Sequence, residues 1–358
     1  MRQHKFIINF ELAPGDITVS TALARDLKLS YGDQVAVDFR TNFPSIFKAN
    51  PHVTKIADDD PDAVSVTLDY RDGIISSQAG NKHHFLTWFH RHFTECTGVS
   101  VPPRFAKPDL HLTKYEKDTP PISGRYWLMF AGGKRDIIVK HWDYDRYQEV
   151  ADTLTGQGVH VVQSGADRMG HLHASLDRVT SVVGWGGVRE LIWQIYHSEG
   201  VIGPVTCATH MAAAFDKPCV VIAGGREEPW WAAYTNEHNS FGPAGPVVVE
   251  HKFLHTIGQL DCCKTVGCWK RQVVPDDVDG EVKHNCLNII ERPIEDQQQP
   301  RCMSMITADD VVNAVMSYYE EGILPPVAAN SEVPRLVVPN AKRQTHEHKV
   351  IGDVYIPS

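Results

Sequence analysis

Hydrophobic and polar positions in the first hundred residues follow two alternating periods. Short apolar runs of strand length occupy residues 4–10, 34–39 and 65–70. Residues 16–30 place their leucines at roughly helical spacing, and the aromatic-rich stretch 83–96 predicts a second helix. Strands that alternate with helices in this way predict βαβ units built on a parallel sheet.

The alternation restarts after a polar segment, residues 107–124, which contains three prolines and no sustained period and is the best linker candidate. Further strands are predicted at 125–133, 159–165, 200–205 and 218–225, and further helices at 144–158, 188–200, 207–217 and 306–322. The chain also exceeds the roughly 250–300 residues at which single cores stop growing. We therefore predict an α/β chain with two Rossmann-like domains, 1–118 and 119–324, and an extended tail, 325–358.

Composition and charge narrow the function class. With 42% hydrophobic and 22% charged residues, the chain is typical of a globular protein. Its formal net charge of −9 gives no sign of a general DNA-binding face. No apolar run approaches the roughly 18 residues that a membrane-spanning helix needs, and no leader-like segment is recognisable at the N-terminus. These observations predict a cytoplasmic protein.

Five of the eight cysteines fall within a short C-terminal stretch, residues 262–302. In a cytoplasmic chain, clustered cysteines favour a metal site over disulfides. Four thiolates would suit a tetrahedral structural Zn or Fe ion, with no coordination position left for a substrate. The alternative is a set of free buried thiols. The predicted ligands, within the Cys-rich loop 260–303, are Cys263, Cys268, Cys286 and Cys302.

Several stretches, taken together and in order, resemble glycosyltransferase family 9, the ADP-heptose heptosyltransferases. They are "APGDITVSTALARDL", "FKANPHVTKI", "KHW" and "VRELIWQIYHSEGVIGPVTCATHMAAAFDKPCVVIAGG", which together cover roughly residues 5–230. The resemblance implies a GT-B fold, in which an N-terminal acceptor-side domain and a C-terminal nucleotide-sugar-binding domain face a central cleft. The Cys-rich loop is similar to an insertion that holds iron in autotransporter heptosyltransferases.

The same resemblance implies inverting transfer of a sugar, with heptose as one candidate, from a nucleotide-diphosphate sugar to an acceptor hydroxyl. An ADP-sugar donor is favoured, and no catalytic divalent metal is expected. The resemblance leaves the acceptor open among a glycan, a protein, a small molecule and a modified nucleobase. Assembly into a homo-oligomer is also left open. Two alternatives remain: a non-catalytic GT-B binding module, and another GT-B enzyme such as a nucleotide-sugar epimerase.

Asp16 matches the position of the family's catalytic base. It follows Gly15 at the start of the first predicted helix, where a carboxylate would face the cleft beyond the strand ends. A general base there would take the proton from the acceptor hydroxyl. The alternative for an aspartate after Gly15 is a plain helix cap.

The resemblance also assigns a set of donor-binding residues in the second half. Lys140 and the start of the helix after residue 206 would contact the diphosphate, and Glu190 would hold the ribose hydroxyls. The full set is Gly15, Lys140, Glu190, Thr206, Cys207, His210 and Arg226. The chain departs from the family at one point, because Val205-Thr206-Cys207 stands where the family usually has Asp-Thr-Gly.

Overall fold

Two parallel sheets, one in each half of the chain, organise the structure. This computed structural model describes residues 3–78, 81–134, 137–167, 170–173, 175–239, 246–269, 286, 288–291, 298–328 and 332–338. The α/β class predicted from the sequence is confirmed. The division into domains 1–118 and 119–324 stays a prediction, although each range contains one of the two sheets.

The N-terminal unit is a three-stranded sheet with helices against it. Its elements are β1 (His4–Asn9), α1 (Pro14–Tyr31), β2 (Val35–Arg40), β3 (Ala63–Thr67), α2 (Arg71–Gln78) and α3 (Phe85–Thr97). Strand β1 is central and pairs in parallel with both neighbours, with Phe6 opposite Val37 and Val64. The buried residues of α1 and α3 cover this sheet, and Phe10 and Phe89 meet edge to face at 5.3 Å.

The C-terminal unit follows α4 (Lys114–Asp118) and contains ten strands: β4 (Trp127–Met129), β5 (Gly132–Lys134), β6 (Val161–Gln163), β7 (His171–His173), β8 (Thr180–Ser181), β9 (Gly200–Pro204), β10 (Cys219–Gly224), β11 (Lys252–His255), β12 (Ile289–Glu291) and β13 (Gln298–Pro300), among the residues that the structure describes. Six of them form a parallel sheet in the order β11-β10-β9-β4-β6-β8. Its helices are α5 (Tyr144–Gly156), α6 (Val188–His197), α7 (Cys207–Ala214), α8 (Pro229–Ala232), α9 (Asn236–Asn239), α10 (Arg301–Ser304) and α11 (Ala308–Glu320).

Strands β4, β9 and β10 are buried along their whole length, as expected for a parallel sheet covered on both faces. Helix α11 begins at the predicted N-cap Thr307, whose hydroxyl accepts a hydrogen bond from the Asp310 backbone. Its apolar face packs on the sheet through Val311, Val315 and Tyr318. Two short antiparallel pairs, β5 with β7 and β12 with β13, lie outside the main sheet and were not predicted.

The described part of the C-terminal tail lies against the C-terminal unit. The Arg125 guanidinium donates to the carbonyls of Pro325 and Pro326, and the Thr180 hydroxyl donates to that of Pro334. Residues 339–358 of the predicted tail lie outside the described residues. Among the helices that the structure describes, none is long and apolar enough to cross a membrane.

The predicted linker contains helix α4, which fastens the two units together. The Arg189 guanidinium of α6 donates two hydrogen bonds to Glu116 of α4, at 2.9 Å and 2.6 Å. Both residues are buried, and Lys48 of the N-terminal unit approaches the same carboxylate at 3.3 Å. Burial raises the pKa of Glu116, but hydrogen bonds from Arg189 and Thr113 outweigh it and lower that pKa well below the usual range.

Replacing Arg189 by methionine should destabilise the protein by about 3–5 kcal/mol, because Glu116 would stay buried with only the largely exposed Lys48 as a cationic partner. The free energy of unfolding in urea measures this loss. The control is Arg178→Met, because Arg178 pairs with Asp152 at the surface and should contribute no more than about 1 kcal/mol.

The same pair predicts a pH dependence of stability. The folded-state pKa of Glu116 lies below its unfolded value of 4.5, so the pair stabilises the fold above that pH and loses its effect as the pH falls. Arg189→Met should flatten this acid-side slope. Equal slopes in the variant and the parent would contradict the assignment.

Candidate active site

The first turns of α1 and α7 meet where the two units face each other. A Cβ atom placed on Gly15 would lie 3.4 Å from both the Cys207 Cα and the His210 Cδ2. The absence of a side chain at residue 15 therefore lets the two helix starts come into direct contact. Two helix N-termini, each with backbone N–H groups and a positive dipole end, come together at this point.

Asp16 occupies the first turn of α1 and accepts hydrogen bonds on both carboxylate oxygens. Its Oδ2 accepts from the Ala13 backbone N–H at 3.2 Å, which is a helix-capping contact. Its Oδ1 accepts from the Tyr70 hydroxyl at 3.0 Å. The carboxylate is partly exposed. Asp16 thus makes the capping contact, and its role as a general base stays a prediction.

Tyr70 is a site residue that the sequence did not predict. It follows β3, and its ring packs against Phe85 and Phe89 of α3 and against Trp231 of the C-terminal unit. This packing fixes the hydroxyl beside Asp16. The position of Tyr70 directly after a predicted strand could have indicated it, since side chains that follow a parallel strand commonly face a ligand cleft.

Lys140 lies next to the start of α7, and its contact with a diphosphate stays a prediction. Its Nζ donates to the Val205 carbonyl oxygen at 3.0 Å and lies 3.2 Å from Glu227 Oε1. The guanidinium of Arg226 pairs with the same Glu227 oxygen. One buried carboxylate therefore lies between two cations, and the three side chains carry a net positive charge beside the N-terminus of α7.

Thr206 is the N-cap of α7, with extended backbone, and Cys207 is the first helical residue. The backbone N–H of Thr206 approaches the Thr209 hydroxyl at 3.4 Å. The residues of this first turn are small, so a phosphate group could approach the backbone N–H groups closely. Contacts with a nucleotide stay a prediction for Thr206 and Cys207.

His210 is buried, and its Nδ1 lies 2.9 Å from the hydroxyl of Tyr234. Burial lowers the pKa of His210 well below its usual range, and the nearby His84, Lys140 and His251 lower it further. The imidazole is therefore neutral at pH 7 and supplies no positive charge for a diphosphate. The hydrogen bond to Tyr234 supports a structural role, while donor binding by His210 stays a prediction.

Glu190 also makes a capping contact in this structure. Its Oε2 accepts from the Gly187 backbone N–H at 2.7 Å, at the first turn of α6. Helix α6 packs against α7, so Glu190 lies in the first turn of a helix next to α7. Binding of ribose hydroxyls by Glu190 stays a prediction.

The four cysteines predicted to bind metal lie close to one another at the end of β10. Burial is the main cause that raises the pKa of the Cys302 thiol to about 12, and the thiols of Cys268, Cys286 and Cys263 raise it further. A Cβ on Gly225 would lie 2.8 Å from the Cys263 Sγ and 3.4 Å from the Cys302 Cβ. In the part of the chain that the structure describes, no three of these thiols lie within 4.8 Å of one another, so the four-thiolate ion stays a prediction.

The Cys-rich loop is joined to the segment that carries Arg226. The backbone N–H groups of Cys268 and Trp269 donate to the carbonyls of Gly225 and Arg226, both at 3.0 Å. The Gly267 N–H donates to Glu228 Oε1 at 2.5 Å. Residues 225–228 are therefore held between the cysteines on one side and Lys140 on the other.

Residues 75–250 match the family model described as glycosyltransferase family 9 (heptosyltransferase). This match confirms the resemblance predicted from the sequence motifs. No match was found among curated protein sequences.

Three solved structures show the same fold. A glycosyltransferase family 9 protein from Veillonella parvula is 11% identical, with a TM-score of 0.57 over 90% of this chain and 98% of that one. The iron-containing dodecameric glycosyltransferase TibC from enterotoxigenic E. coli is 14% identical, with a TM-score of 0.55 over 90% of this chain and 78% of that one. ADP-heptose LPS heptosyltransferase II from E. coli is 13% identical, with a TM-score of 0.53 over 90% and 100%. The predicted GT-B fold is confirmed.

Proposed function

Since this chain carries a glycosyltransferase family 9 domain, we propose that it moves a sugar from a nucleotide-diphosphate sugar to an acceptor hydroxyl with inversion at the anomeric carbon. The observation that carries the proposal is the meeting of α1 and α7. Because of this contact, Asp16 in the first turn of α1 lies beside the N-terminus of α7, which Lys140 and Arg226 flank.

The proposed reaction needs one base and one stabilised leaving group. Asp16 accepts the proton of the acceptor hydroxyl while that oxygen bonds to the anomeric carbon. The bond between this carbon and the diphosphate oxygen breaks, and the nucleoside diphosphate leaves with the electron pair. Lys140, Arg226 and the backbone N–H groups at the start of α7 stabilise its negative charge.

Tyr70 and Glu227 position these groups in the proposed site. The Tyr70 hydroxyl holds Asp16 Oδ1, and the second lone pair of that oxygen can accept the proton. Glu227 holds Lys140 and Arg226 together before the nucleotide arrives. The diphosphate then replaces part of this pairing, because it offers more acceptor oxygens to the same two cations.

We favour an ADP-sugar as the donor, with heptose as the first sugar to test. The description of the family model names heptosyltransferases, and the structure of TibC has been solved in complex with ADP-D-β-D-heptose. Val205-Thr206-Cys207 differs from the family's usual loop, so the nucleotide preference has to be measured. A cytoplasmic location and a homo-oligomer stay predictions; TibC is dodecameric.

A non-catalytic binding module is the second candidate. The altered loop favours it, as does the engagement of both Asp16 oxygens by Ala13 and Tyr70. Nucleotide binding without turnover on any acceptor would support this candidate.

We also propose that Cys263, Cys268, Cys286 and Cys302 hold a structural zinc or iron ion. TibC, which has a similar fold, is an iron-containing protein. The ion would fix the Cys-rich loop against residues 225–228 and so stabilise the position of Arg226.

Asp16→Asn should lower transfer by at least about 100-fold, because the amide cannot accept the proton. An asparagine oxygen can still accept the Ala13 N–H, so the helix cap and nucleotide affinity should be kept. The assay is release of nucleoside diphosphate from the nucleotide sugar, with water or added glycans as acceptor. Asp33→Asn, at the exposed end of α1, is the control. Full activity of Asp16→Asn would exclude Asp16 as the base.

A panel of ADP, UDP, GDP and CDP should raise the thermal unfolding midpoint selectively, with the largest shift for ADP, because ligands stabilise the state they bind. Lys140→Met should remove most of that shift through loss of the contact with the diphosphate. Lys114→Met, which changes an exposed lysine on α4, should leave it intact. No shift with any of the four nucleotides would overturn donor binding in this cleft.

Cys302→Ser should lose the metal ion, because a neutral hydroxyl is a poor ligand in a four-thiolate site. Metal content per chain, measured by elemental analysis of the purified protein, reports the loss. The control is Cys96→Ser, since Cys96 is exposed on α3. Metal content that stays unchanged in Cys302→Ser would exclude Cys302 as a ligand.

A further inference from the structure

Two histidines and one aspartate converge on the N-terminal unit, outside the candidate active site. They are His52, in the segment between β2 and β3, and Asp109 and His111, in the segment that leads to α4. Their ligand atoms all lie within 4.8 Å of one another. The side chains are 17–27% exposed, so the group is reachable from solvent yet largely enclosed.

The Nε2 atom of each imidazole ring lies near Oδ2 of Asp109. His111 Nε2 lies 2.8 Å from Asp109 Oδ2, and His52 Nε2 lies 3.6 Å from it. Two ligands of one tetrahedral zinc ion, each bonded at roughly 2.0–2.1 Å, stand about 3.3 Å apart. The two measured distances bracket that value, so a small movement of the side chains brings all three atoms into range.

The backbone around the three residues is held in place by buried side chains. Asn50 accepts the His52 N–H at 2.9 Å, and its own amide donates to the Asp109 carbonyl at 3.4 Å. The Asp109 N–H donates to the hydroxyl of the buried Thr21 at 2.8 Å. Asn50 thus joins the two segments that carry the ligands.

Two cations near His52, Arg25 and Lys28, are engaged with other groups. Arg25 pairs with Asp26 and donates to the Lys107 carbonyl, and Lys28 donates to the Gly32 and Val35 carbonyls. The Asp109 carboxylate is therefore directed at the two histidines.

We propose that His52, Asp109 and His111 form a second metal site, which binds a zinc-like divalent cation. Two imidazoles and one carboxylate are a common ligand set for zinc, with a water molecule in the fourth position. The ion would join the segment after β2 to the segment that leads into α4, and so would reinforce the connection between the two units. This site is separate from the thiol cluster and from the proposed transfer reaction.

Cobalt(II) distinguishes the two sites by spectroscopy, because only thiolates give a ligand-to-cobalt charge-transfer band. The probe is Co²⁺, titrated into the full chain as purified, with whatever ion the cysteines hold left in place. We expect visible d–d bands without added thiolate charge transfer, saturating at one equivalent. Zn²⁺ should then displace the cobalt, because zinc generally binds such sites more tightly.

Asp109→Asn and His111→Gln should each weaken cobalt binding by more than about 100-fold, since even the outer partners of metal ligands contribute 10–100-fold. His83→Gln, a partly buried histidine of the same unit that contacts Arg91, is the control and should bind like the parent. Circular dichroism and unfolding midpoints, recorded without added metal, verify that the variants fold. Zn²⁺ should raise the midpoint of the parent and the control but not of the two ligand variants.

Three outcomes would overturn the proposal. They are bands of thiolate origin only, undiminished cobalt binding in Asp109→Asn and His111→Gln, or no binding by the parent. Any of them would leave the three residues as a hydrogen-bonded cluster. None of them bears on sugar transfer, whose tests do not involve these residues.

Discussion

The buried ion pair between Glu116 and Arg189 is the constraint on which the arrangement of the two units depends. Glu116 lies on the connecting segment and Arg189 on α6, while Lys48 reaches the same carboxylate from the N-terminal unit. Three parts of the chain thus share one carboxylate. A charge of this kind is costly to bury and is tolerated only with complete hydrogen bonding, so it favours one relative position of the units. The meeting of α1 and α7 requires that position.

Two acidic residues at the candidate site cap the helices on which they lie, Asp16 on α1 and Glu190 on α6. Asp16 and Glu190 each accept a backbone N–H of their own helix, as many acidic residues in first turns do. The cap orients the carboxylate and leaves lone pairs on its oxygens for another partner. On the opposite side, Glu227 keeps Lys140 and Arg226 close together, although two cations repel each other. In the proposed function, the two cations that would contact the diphosphate are therefore already held together before the ligand binds.

Local pattern was enough to predict most strands and helices, since periodicity, glycine turns and caps such as Thr307 act over a few residues. The match of residues 75–250 to the family model confirms the family resemblance that the motifs indicated, while the roles of single residues stay predictions. Contacts between distant segments could not be predicted. The bond from Tyr70 to Asp16 spans 54 positions, and that from Arg189 to Glu116 spans 73. Helix α4 went unpredicted because five residues are too few to show a helical period.

The contact between Gly15 and the first turn of α7 means that the candidate site is complete only while the two units are in contact at these helix starts. Asp16 belongs to one unit and Lys140 to the other, so in the proposed reaction any hinge motion would change the spacing between the base and the leaving group. In that reaction a donor as large as a nucleotide sugar would have to enter, and its product leave, between the two units. Turnover would then be governed by how often the cleft opens, and substrates would be protected from stray water whenever it is shut.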